Sequence, residues 1–123
     1  MEALLARRIQ LFVESGQVRP EVAAFVRAEL EVLAAEGCAV TEDSAGMLTS
    51  HLLMALTRLQ DGEPVEEFRT DDVAAAELAD HPRAVRRARA VSIRAERALG
   101  VPLPEPELNF LAMHFAVLRR DTP

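Results

Sequence analysis

The chain has 123 residues, half of them apolar, and its 20 acidic against 14 basic side chains leave a net charge of −6. That length suits one domain, 1–123, with a sizeable core. The composition argues against a membrane span, since no run reaches about 18 apolar residues; Cys38 stands alone, which excludes an internal disulfide and a multi-cysteine metal site; and the acidic balance argues against direct nucleic-acid binding.

The first ten residues, MEALLARRIQ, lack an apolar run with a small-residue cleavage site, so a cytoplasmic location is expected. Prolines and glycines punctuate the chain into helices, because proline is favoured at helix starts and glycine just past helix ends. A first helix is expected over about Glu2 to Ser15 and a second over about Pro20 to Glu36. A third begins within Thr41–Ser44 and ends near Gln60; the polar loop DGEPVEEFRT follows, and then a short helix from about Asp71 to Ala79. Another helix starts at Pro82 and stops at Gly100, with a stripe of Val85, Ala88, Val91 and Ala95. The last runs from near Pro104 to about Arg120, with Glu105 and Glu107 suiting its positive end. No alternating strand pattern occurs. The reading is an all-α bundle of five main helices plus one short one.

Charge is uneven along this order. Residues 1–40 carry a net −2, residues 41–80 a net −8 and residues 81–123 a net +4. The arginine-rich run RAVRRARAVSIRAER is expected to meet the acidic 61–80 segment rather than nucleic acid, because it lacks interleaved aromatics.

Two helices carry a histidine among apolar residues. In HLLMALTRL, His51 and Arg58 are seven apart, nearly two turns, and share a face. In ELNFLAMHF, Glu107 and His114 repeat that spacing. A single histidine on an apolar face is most often a core residue; two in matched settings weaken that reading without removing it. A nucleophile–base pair is not evident, since Ser50 points about 100° away from His51 on a helix. His51, His114 and Glu107 could supply three metal ligands if their helices met, but no HExxH-type spacing supports this. One other role suits such an imidazole: largely neutral at pH 7, it is a nucleophile that can accept a phosphoryl group, and the added charge of about −2 would shift an assembly equilibrium.

These segments resemble the phosphotransferase-system regulation domain, the PRD. The H-x6-R pattern is met by His51 and Arg58. The turn into the last helix is met by Gly100, Leu103, Pro104 and Glu107, and the E-x-x-F-x-x-x-H-F helix by Glu107, Phe110, His114 and Phe115. Many family members place an aspartate directly before the first histidine, where this chain has Ser50.

The resemblance implies a PRD-like helical bundle and a non-enzymatic role in transcriptional regulation, without cofactor or metal. It implies His51 and His114 as phosphoacceptors, with Arg58 and Glu107 as the charged neighbours that orient or sense them. It implies a phosphocarrier protein or other phosphotransferase-system component as donor, a homodimer, and an unidentified regulator protein as partner. The alternative expectation is a constitutive helical interaction module without phosphorylation.

Overall fold

A computed structural model describes residues 1–63 and 72–118, with side chains described for 1–63 and 76–118. Every regular element among them is a helix: α1 Ala3–Glu14, α2 Pro20–Ala35, α3 Glu42–Gln60, α4 Asp72–Ala79, α5 Pro82–Leu99 and α6 Glu105–Val117. The chain is all-α, as the punctuation required. Most of the expected loop after α3, together with Arg119 and Arg120, lies outside the described residues.

The helix ends follow local chemistry. Thr41 caps α3: its hydroxyl accepts from the Ser44 backbone N–H, and Ser44 returns the bond to the Thr41 N–H, closing a capping box. Glu42 and Asp43 place acids in the first turn of α3. Proline opens α2 and α5 where a backbone N–H would have no intrahelical partner. Gly100 ends α5 at φ 79°, a left-handed conformation that side chains disfavour.

The core draws on all six helices. Leu5 and Ile9 of α1 and Val22, Val26, Leu30 and Leu33 of α2 meet Leu48, Leu52, Leu53 and Leu56 of α3; Leu78 of α4, Val91 of α5 and Leu111 of α6 join the same cluster. Each fully buried leucine contributes roughly 1.5–3 kcal/mol relative to exposure. Met54 packs against this cluster, whereas Met47 and Met113 are exposed: the apolar stripe of each helix turns away from them.

Two polar contacts fix where α6 begins. The buried Ser92 hydroxyl accepts from the Leu103 backbone N–H at 2.9 Å, tying the turn after α5 back onto that helix. The Gln60 side-chain amide donates to the Leu99 carbonyl at 3.2 Å, holding the end of α3 against the end of α5. These contacts set α6 against the middle of α3.

Candidate functional site

The α3–α6 seam brings the two histidines together. His51 projects from the middle of α3, and its Nε2–H donates to Glu107 Oε2 at 2.5 Å. The His51 ring stacks on Phe110, centroids 3.9 Å apart and planes 29° apart. Phe110 also meets His114, at a centroid distance of 4.4 Å and an angle of 42°. One phenyl ring on the seam thus touches both imidazoles, and a carboxylate holds the first of them.

Burial grades sharply across this group. The Glu107 side chain is 1% exposed and that of His51 is 20% exposed. Glu107 Oε1 is buried without a hydrogen-bond partner. A buried carboxylate with one oxygen bonded and one bare depends heavily on its single partner. Burial first, and the neighbouring His51 second, push His114 below the ordinary histidine value. A half-buried imidazole in that setting is neutral at pH 7, the state that can act as a nucleophile.

The spacing of the sequence pairs Glu107 with His114 on one helix, two turns apart. Across the helices, Glu107 serves His51 instead. Arg58, the expected partner of His51, is half-buried in the last turn of α3 and forms no hydrogen bond or ion pair among the described residues. His51, His114 and Glu107 do converge, but no group of three metal-ligating side chains among the described residues is arranged to hold an ion. Ser50, beside His51 in sequence, faces the opposite neighbour, α1.

That second cluster was not legible in the sequence. Arg8 of α1 donates through Nε to Glu42 Oε1 at 2.9 Å and through Nη1 to Ser50 Oγ at 2.9 Å. Its guanidinium lies over Gly46, whose missing Cβ would sit 3.1 Å from Arg8 Nη2. The hydrogen bonds from Arg8 hold the Glu42 carboxyl below its ordinary value. Spacing along α1 gives no sign of this, because the partners are 34 and 42 residues away. A broad cleft of about 660 Å³ runs beside it along α1, lined by Leu4, Arg7, Arg8 and Leu11, and includes neither histidine.

The fold and seam define a class: an all-helical domain with histidines from two helices gathered around one aromatic ring. A family model described as the PRD domain matches residues 33–118, from the end of α2 to the end of α6. The chain belongs to the PRD family. PRDs are regulatory domains controlled through the sugar phosphotransferase system, and are regulatory rather than catalytic. No curated protein and no solved structure matches the chain. Helix α1 and most of α2 precede the matched segment, yet they supply Leu5, Val22 and Val26 to the shared core. No helix among the described residues is long and apolar enough to cross a membrane.

Proposed function

We propose that this chain is a non-enzymatic regulatory domain, cytoplasmic and folded as one unit, in which His51 and His114 accept phosphoryl groups. The donor is a phosphocarrier protein or another component of the sugar phosphotransferase system. The chain then acts in transcriptional regulation as a homodimer, through a regulator protein that it binds. The observation that carries this reading is the convergence of His51, Phe110 and His114 on the α3–α6 seam, within the segment that the family model matches.

The chemistry is a transfer between two nitrogens. A neutral imidazole nitrogen attacks phosphorus, the new P–N bond forms as the donor's P–N bond breaks, and the donor ring, protonated on its other nitrogen, leaves as neutral imidazole. His51 takes the group on Nε2 only if Glu107 lets go, since that nitrogen donates to the carboxylate. The phosphoryl group brings a charge of about −2. Beside a carboxylate as buried as Glu107, it repels, and α6 must shift against α3. Arg58 is the cation on the same face of α3 that can answer this charge.

The test is phosphate incorporation. Purified chain is incubated with phosphoenolpyruvate, the first enzyme of the phosphotransferase system and its phosphocarrier, and intact mass is measured. Incorporation that falls in His51→Ala or His114→Ala, and vanishes in the double variant, supports the reading. A wild-type chain that takes no phosphate from any phosphotransferase-system donor returns the chain to a constitutive interaction module. The engagement of His51 Nε2 by Glu107 is the feature that favours that second reading.

A further inference from the structure

The arginines of α5 divide into two sets. Arg87 pairs with Glu36 at the C-terminal end of α2 and Arg94 with Glu29 within it, and Arg89 makes a long contact to Glu105 of α6. The described partners lie at α2 and α6; most of the acidic 61–80 segment that the charge pattern suggested lies outside the residues whose side chains are described. Arg83, Arg86 and Arg97 are exposed and have no hydrogen bond or ion pair among the described residues. They are not scattered. Arg83, Arg86, Ala90, Ile93 and Arg97 fall at alternating spacings of three and four, which is one continuous stripe on a helix. It lies opposite the buried stripe of Ala84, Ala88, Val91 and Ala95, and at its centre Ile93 is 55% exposed.

This stripe runs against helix electrostatics. The first turns of α3 and α6 carry acids, as the positive end of a helix prefers. The first turn of α5 carries none; Arg83 sits there instead, with Arg86 just after it. Glu29 and Glu36 line the groove beside Arg83 and Arg86 but pair with Arg94 and Arg87, so the arginine stripe keeps an excess of positive charge among the described residues, and such a surface suits something outside the fold. Two cations beside a helix N-terminus, an exposed isoleucine and a further cation make a surface complementary to acids flanking an apolar residue.

We propose that the outer stripe of α5 docks an acidic amphipathic segment of a partner protein. Its apolar side chain covers Ile93, and its carboxylates meet Arg83 and Arg86 at one end and Arg97 at the other. Arg83 and Arg97 are separated by about 21 Å at helical rise, so the segment spans some four helical turns or half a dozen extended residues. A protein is favoured over nucleic acid by two features. Ile93 and Ala90 interrupt the charge, and the stripe has no aromatic side chain on which a base could stack. The inference stands apart from phosphorylation of the α3–α6 seam and uses none of its residues.

The probe is a synthetic, fluorescently labelled helical peptide with glutamates flanking a leucine stripe, titrated with the full chain and read by anisotropy. Binding by the wild type is expected to weaken as salt rises. Arg83→Glu/Arg86→Glu together are expected to weaken it by about tenfold or more, given two lost pairs and two new repulsions. Ile93→Ser is expected to weaken it several-fold, and Arg27→Glu, an exposed arginine of α2, to leave it unchanged. Circular dichroism confirms that each variant is folded; the α5 reversals place acids where the helix dipole favours them. The proposal is overturned if the wild type ignores the peptide, if Ile93→Ser has no effect, or if Arg27→Glu weakens binding as much as the α5 pair. It is also overturned if an RNA or DNA duplex binds more tightly than the peptide. Loss of self-association in Ile93→Ser, by sedimentation, would assign the stripe to a second copy of this chain and overturn it equally.

Discussion

Ser50 and His51 are neighbours on α3 and live in opposite electrostatic worlds. Ser50 turns to α1, where Arg8 and Glu42 form an ion pair with side chains 35% and 27% exposed. His51 turns to α6, where its partner carboxylate is 1% exposed. Both clusters look alike as a diagram of hydrogen bonds. They differ in what removing one member does. Water and other side chains can replace a lost partner at the α1 face, so the pair there is worth little. At the α6 face the abandoned group remains in the protein interior with a charge and nothing to balance it.

Mutations can break or sharpen that contrast. The largest effect is expected for His51→Ala, which strands the Glu107 carboxylate with both oxygens unpaired; chemical denaturation at pH 7 should show a loss of about 3 kcal/mol. Glu107→Gln keeps the shape and leaves an amide oxygen to accept from His51 Nε2, so the same measurement should show a loss nearer about 1 kcal/mol. A loss in Glu107→Gln equal to that in His51→Ala would mean that charge is not what distinguishes the seam.

The third expectation concerns pH. The folded state holds His114 below its unfolded value, so the unfolded chain binds more protons as the pH drops. The stability linked to a neutral His114 is fully present above the ordinary histidine value of about 6.5 and declines as pH falls through it. Urea unfolding at a series of pH values should show this decline in the wild type and a flatter profile in His114→Gln. On the α1 side, Arg8→Ala should cost less than about 1 kcal/mol, and added salt should shrink the difference. Smallest of all is Gly46→Ala. The new methyl group meets only the flexible end of Arg8, and the gain in helix propensity of about 1 kcal/mol offsets the displacement, so thermal unfolding should barely move.

How legible this was in the sequence follows from what periodicity encodes. The helix starts at Thr41 and Pro82 and the stop at Gly100 could be read directly, because caps and breakers act within a turn. Spacing also put His51 and His114 on faces that border the core. It could not say which helix lies across from a face. Glu107 is in phase with His114 and yet serves His51, and Arg58 is in phase with His51 and yet does not pair with it. Likewise the excess of arginine in α5 was plain, but three of its arginines found glutamates at α2 and α6. Which residues meet is set by helix packing, and Arg8 on Ser50 shows that such a contact leaves no trace in local pattern.

The two histidines touch one phenyl ring and act as one site rather than two. The most direct test is an NMR titration of the imidazole resonances in the wild type and in a His51→Gln variant. The account predicts that His114 titrates below the ordinary histidine value in the wild type and moves part of the way back when His51 is replaced, the remainder being due to burial. A His114 that titrates at the ordinary value, or one indifferent to the replacement of His51, would contradict it.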